Sequence, residues 1–115
     1  MYLSAREMSY FVYLLWSVRS KCTYVGQTDD VGTRLKRHNA GYIRSTKAYR
    51  PWILVRKELY SMRAEAMKRE TWLKSPSGRK LVAEFIEKWQ AQGLSVALQA
   101  PRDRVPTKSG RTKPA

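Results

Sequence analysis

Five side chains in this sequence have the types that phosphodiester hydrolysis calls for: Tyr13, Tyr24, Arg34, His38 and Glu70. A phosphodiester is anionic and resists attack. Cleaving it takes a base, a cation over the phosphate and usually a metal held by a carboxylate. A phenol hydroxyl can hold a water. Its ordinary pKa is about 10, so it takes the water's proton only with strong cationic help. Arg34 can fork onto a phosphate through two parallel hydrogen bonds. His38, the only histidine, lies four residues on and shares a helix face with Arg34. It could donate to the same phosphate or to a nucleophilic water. Glu70 can anchor Mg²⁺, whose other positions go to waters and a phosphate oxygen. Each residue also has a plainer reading. Tyrosines are common in strands, Arg34-Lys36-Arg37 suits a solvated basic face, and Glu70 pairs with Lys74 at i+4 as surface helix residues do.

These groups need elements to position them. Tyr10 to Trp16 is a short apolar and aromatic run, which predicts a buried strand over 9–17. Residues 22–28 predict a second strand, close enough for an antiparallel hairpin. Tyr13 and Tyr24 then sit side by side, in register or nearly so. Asp29 and Asp30 are N-cap residues for a helix to about Asn39, with Val31 and Leu35 inward and Gly41 as the stop. Residues 41–50 read as a basic surface loop. Pro51 opens a third strand, Trp52 to about Leu59. Ser61 caps a helix over 62–74 with Ala66, Met67 and Leu73 inward. Pro76-Ser77-Gly78 breaks the chain, and Leu81, Val82, Phe85, Ile86 and Trp89 mark a helix over about 78–92 that Gly93 ends. The order β-β-α-β-α-α predicts an α+β domain over 1–93, a small sheet with helices packed on it. Residues 94–115 read as a basic, disordered tail, with Pro101, Pro106 and Pro114 and no apolar periodicity after 101.

Composition narrows the partner. The chain has 115 residues and a net charge of +14, which predicts an anionic partner, nucleic acid before a membrane surface. The last fifteen residues hold five basic residues against Asp103, so most of the charge lies in the domain. No run of about 18 apolar residues and no signal pattern is present, which predicts a cytoplasmic protein. Cys22 is the single cysteine, so neither an internal disulfide nor a cysteine metal cluster is available. It reads as a small strand residue.

Together these residues resemble the GIY-YIG nuclease family, over roughly residues 10–86. Tyr24-Val25-Gly26 is a conservative form of the second half-motif. Phe11-Val12-Tyr13 keeps the tyrosine of the first but lacks its glycine and isoleucine. Arg34 follows Gly26 by eight, where the family carries its catalytic arginine, and His38 falls where many members have histidine. Ser45 to Trp52 looks like the family's loop into the third strand, Ala66 to Lys74 like its metal-glutamate helix. Gly78-Arg79-Lys80 continues the pattern of small stand-alone bacterial members related to the UvrC N-terminal domain. The resemblance implies a three-stranded antiparallel sheet flanked by helices. It implies a metal-dependent endonuclease acting on DNA, in repair or recombination, with one Mg²⁺ or Mn²⁺ on Glu70. Tyr13, Tyr24 or a water between them would prepare the nucleophile, and Arg34 would stabilise the transition state. Lys36, Arg37, Arg44, Lys47 and Arg50 would hold the nucleic-acid backbone, and Tyr42 or Tyr49 would stack on an unpaired base. No separate specificity domain is read in the sequence, which predicts weak sequence preference or a protein partner that supplies the choice of site. The competing reading is a non-catalytic DNA- or RNA-binding module on the same fold.

Overall fold

A computed structural model describes residues 9–99 of the chain. The elements are β1 (Tyr10–Ser17), β2 (Cys22–Thr28), α1 (Val31–Ala40), a 3₁₀ turn (Lys47–Tyr49), β3 (Ile53–Tyr60), α2 (Arg63–Leu73) and α3 (Pro76–Gln99). The sheet is antiparallel throughout, in the order β2-β1-β3. This is the expected α+β architecture, three strands and three helices. No described helix is long and apolar enough to cross a membrane.

The run at β1 is continuously apolar because β1 is the central strand, covered on both faces. Val12 and Leu14 point to one face, where Val25, Ala66, Leu73, Val82 and Ile86 close a core under α2 and α3. Tyr13 and Leu15 point to the other, against Val31 and Trp52 under α1 and the loop into β3. Period-two alternation thus sends one half of β1 into packing and the other half towards the site.

Helix α1 begins as the sequence predicts. The Asp30 carboxylate accepts from the Thr33 amide at 3.0 Å, and Gly41 closes the helix at φ 86°. The loop after it is not loose. Trp52 is buried, its amide donates to Asn39 Oδ1 at 2.6 Å, and its carbonyl accepts from Asn39 Nδ2 at 3.0 Å. β3 therefore starts at Ile53 rather than Trp52, because Trp52 spends its backbone on α1 instead of the sheet. Ser17, wholly buried, donates to the Tyr49 carbonyl at 2.7 Å and ties the loop to the hairpin.

The second half of the chain corrects four expectations. Ser61 does not cap α2. Met62 holds the N-cap position without a side-chain bond, and the helix starts at Arg63. Met67 is 49% exposed, so only Ala66 and Leu73 of the three expected residues face the core. Pro76 and Gly78 belong to α3 rather than to a break. Ser75 Oγ accepts from the Gly78 amide at 3.1 Å as an N-cap, Pro76 follows as first helical residue, and a Cβ on Gly78 would collide with the Trp72 carbonyl and Leu73. The glycine is there so that α3 can start against the end of α2. Gly93 does not end α3, which continues to Gln99. The remainder of the expected tail, 100–115, lies outside the described residues.

An ion-pair cluster fastens α2 to the sheet. Glu58 on β3 takes a two-pronged bond from Arg69, at 2.9 and 3.1 Å, plus single bonds from Arg56 and Tyr60 at 3.0 Å each. Burial alone would raise the Glu58 carboxyl, and these donors outweigh it and hold the group below its ordinary value. The anchored helix is the one that carries Glu70.

Candidate active site

Tyr13 pairs with Gly26 across the hairpin, and Tyr24 pairs with Leu15. The two tyrosines are thus diagonal neighbours on one face, rings 6.1 Å apart and tilted by 41°. Gly26 makes room for this. A Cβ there would stand 2.6 Å from Tyr13 Oη and 2.9 Å from Tyr24 Cε2. Its φ is not left-handed, so the requirement is for space rather than for a backbone conformation. Phe11, where the first half-motif lacks its glycine, packs beside the Tyr13 cluster with the Lys57 ammonium 5.4 Å from its ring centre.

Behind Tyr13 lies a buried polar thread. Tyr13 Oη and His38 Nε2 are 2.9 Å apart, and His38 Nδ1 and Thr46 Oγ1 are 2.8 Å apart. Thr46 Oγ1 also donates to the Ile43 carbonyl at 3.3 Å. With the threonine proton spent there, the network assigns the ring proton to Nδ1 and makes Nε2 the acceptor of the Tyr13 hydroxyl. Burial, with the Arg34 charge adding, pushes the His38 pKa down to about 4, so the ring is neutral at pH 7. Burial likewise pushes Tyr13 above the ordinary phenol range. Tyr24 adds to that shift and Arg34 opposes it, so Tyr13 is a neutral phenol.

His38 therefore differs from the expectation. It is 0% exposed with both ring nitrogens engaged by Tyr13 and Thr46, which leaves neither nitrogen for a phosphate or an attacking water. It faces inward because Val31, Leu35 and His38 form an i, i+4, i+7 stripe on α1, and Val31 and Leu35 pack under the sheet. That stripe was readable in the sequence. Thr46, the other end of the thread, carried no sequence signal.

The remaining groups meet around Tyr13. Tyr24, Arg34 and Glu70 all act electrostatically on its hydroxyl, which places hairpin, α1 and α2 around one point. Arg34 and Glu70 are half-buried on their helices. Lys74 Nζ donates to Glu70 Oε2 at 2.9 Å and stands 5.7 Å from the Tyr24 ring centre, closing the ring of groups. Tyr24 is half-buried where Tyr13 is 1% exposed, so Tyr24 carries the phenol that meets solvent.

Of the five cations expected to hold a backbone, Lys36, Arg37, Arg44 and Lys47 are exposed on α1 and the following loop. Arg50 is different. Its Nε donates to the Lys47 carbonyl at 2.8 Å and its guanidinium lies against Gly41, so it braces the loop itself. Tyr42 is 72% exposed, with the Arg37 guanidinium 5.6 Å from its ring centre, and Tyr49 is 44% exposed.

Among the described residues no three acidic, histidine or cysteine side chains cluster as a metal cage. Glu70 is the one carboxylate at the cluster, and its oxygens are hard ligands. Such a donor suits Mg²⁺ or Mn²⁺ that keeps waters and takes substrate oxygens, and does not suit a closed zinc site.

Comparisons with known proteins give the chain's family. The family model described as the GIY-YIG catalytic domain matches residues 9–82. UPF0213 proteins of Staphylococcus aureus strains Mu3 and N315 are 38% identical over 77 residues, covering 63% of this chain and 88% of theirs. The solution NMR structure of the UPF0213 protein BH0048 from Bacillus halodurans aligns at 29% identity and a TM-score of 0.42, covering 67% of this chain and 84% of that one. By the match across most of its described length, the chain belongs to the GIY-YIG family, an endonuclease superfamily.

Proposed function

We propose that the protein is a metal-dependent endonuclease that hydrolyses phosphodiester bonds in DNA. The observation that carries this reading is the meeting of Tyr24, Arg34 and Glu70 around Tyr13. Binding alone needs a basic surface and no such convergence. In hydrolysis, water oxygen joins phosphorus, the bond from phosphorus to one ester oxygen breaks, and a proton ends on the leaving oxygen. Tyr24 is the phenol that can hydrogen-bond the attacking water. Arg34 supplies charge where the phosphoryl oxygens gain it. Tyr13 and His38 act as positioning residues: His38 fixes the Tyr13 hydroxyl, and the phenol oxygen faces Arg34. Glu70 would hold one Mg²⁺ or Mn²⁺, which when bound polarises the phosphate and acidifies water. Lys36, Arg37, Arg44 and Lys47 would carry the DNA backbone through sequence-independent contacts.

The second reading is a binding module without chemistry. It draws on Lys74 occupying Glu70 and on the burial of Tyr13. One experiment separates the two: labelled single-stranded, duplex and branched DNA incubated with the protein, with Mg²⁺ or with chelator. Cleavage that chelator abolishes supports the enzyme. Binding without cleavage of any substrate supports the module. Glu70→Ala and Arg34→Ala should each lower cleavage by about 10² or more, the scale for losing one preorganised electrostatic group, with melting unchanged. A Glu70→Ala protein that melts and cleaves like the parent would show that Glu70 is an ordinary surface helix residue.

A further inference from the structure

Beyond Tyr24, the β2 edge of the sheet and helix α3 leave a cleft of about 740 Å³ between them. Small-ligand sites span roughly 300–1,000 Å³. Its apolar wall is built from Trp16, Val25, Leu73, Val82 and Ile86. Its rim holds Lys21, Lys74 and Arg79 against one carboxylate, Glu87. Trp16 is only half-buried, and Ala83 leaves space on the α3 side. Lys21 occupies the last position of the β1–β2 turn at φ 54°, a left-handed conformation more natural to glycine. The turn nevertheless sets a cation at the mouth.

An apolar slot with a flat indole and a cationic rim is complementary to a nucleotide, whose base is planar and apolar on its faces and whose phosphate is anionic. The cleft is also continuous with the candidate active site. Tyr24 and Lys74 belong to both, and Lys74 bonds Glu70 while standing over the Tyr24 ring. A strand with a phosphate at Arg34 and Glu70 can therefore send its neighbouring base into the slot. A base held in a duplex is stacked between its neighbours and cannot enter without leaving the helix.

We infer that the cleft between β2 and α3 is a subsite for one unpaired base, next to the phosphate that is cut. This rests on the nuclease reading and adds to it a substrate class: DNA with an unpaired nucleotide beside the scissile bond. Arg79 and Lys21 take the flanking phosphates. Glu87 is placed to accept from a base amino group, which adenine, cytosine and guanine offer and thymine lacks.

The test measures binding of the full chain in chelator, so that no cutting intervenes. The probes are three duplexes alike except at one internal position, which holds a paired adenine, an unpaired adenine or an abasic site. The unpaired adenine should bind about tenfold more tightly than the other two, as expected when one base stacks on an aromatic side chain. Ala83→Trp, which fills the slot from an exposed helix position, should bring the three affinities within about twofold and leave that for the paired duplex unchanged. Arg79→Ala should weaken binding of the unpaired probe more than that of the paired one. Replacing the unpaired adenine with 2-aminopurine should give fluorescence that the wild type quenches and Ala83→Trp does not. Equal affinity of the wild type for all three probes would overturn the inference, as would an Ala83→Trp protein that melts like the parent and keeps the preference. Cleavage in Mg²⁺ is scored separately. Its absence bears on the nuclease reading, and the base preference in chelator bears on the cleft.

Discussion

Lowering the pH should destabilise this domain through one residue. His38 is neutral and wholly buried, with its pKa held near 4 by burial and by Arg34. In the unfolded chain a histidine titrates near 6.5. Between these values the unfolded state binds a proton that the folded state refuses, so stability falls as pH falls. The contribution is complete above pH 6.5 and lost by about pH 4. One such proton gives a slope of about 1.4 kcal/mol per pH unit, so about 2–3 kcal/mol should go between pH 6.5 and 4.5. That window isolates His38. It is the only histidine, and the depressed carboxyls of Glu58 and Asp30 begin to cost stability only below their ordinary values of 4.5 and 3.8. The assay is urea unfolding at half-unit steps from pH 7 to 4.5, on the wild type and on His38→Gln. Glutamine keeps a donor and an acceptor but does not titrate. The wild type should show the slope and the variant should be nearly flat. A wild type with constant stability across the window would refute the buried neutral imidazole, and so would a variant whose slope matches the parent's.

Two further outcomes follow from the site's packing and charge. Gly26→Ala drives a methyl against Tyr13 Oη and Tyr24. Overpacking of this kind costs about 1–3 kcal/mol, so calorimetry should show melting lowered by about 5–15 °C, and the displaced tyrosines should cut cleavage about tenfold. An alanine variant that melts and cleaves like the parent would remove the steric account of Gly26. Affinity for duplex DNA, measured by anisotropy, should fall with salt along a log–log slope of about −3 to −4, one increment of about −0.9 for each of Lys36, Arg37, Arg44 and Lys47. A slope near zero would show that these side chains do not meet phosphates.

The sequence exposes features that depend on neighbours a few residues away. The β2 boundaries, the Asp30 cap and the Gly41 stop are local, and the structure places them where the residues predict. The pairing of Tyr13 and Tyr24 on one face is a matter of strand period and turn length, again local. What the sequence conceals depends on which face of α1 the sheet covers. His38 can be read from the Val31 and Leu35 stripe as inward or from its spacing to Arg34 as facing phosphate, and only the packed sheet decides that it lies under the sheet while Arg34 stays at the rim. Gly78 looks like a breaker until α2 is seen to end against it. Met67 fits an inward stripe, yet α2 presents only a narrow strip to the core, and Ala66 and Leu73 fill it. Arg50 reads as one more loop cation because nothing nearby shows that the loop needs a brace.

The thread from Thr46 through His38 to Tyr13 also limits how this sequence can drift. Each member is at most 1% exposed, and each satisfies a polar atom of the next. Changing one alone strands a buried donor or acceptor, at about 1–3 kcal/mol, whereas exchanging adjoining members together for apolar groups of the same shape can be nearly neutral. Tyr13→Phe, His38→Leu and Thr46→Val are therefore tolerated better as a set than singly. A lineage that gave up the chemistry would be expected to lose all three, and one that kept it to hold all three. The interior of this face is one hydrogen-bonded unit made of three residues from a strand, a helix and a loop.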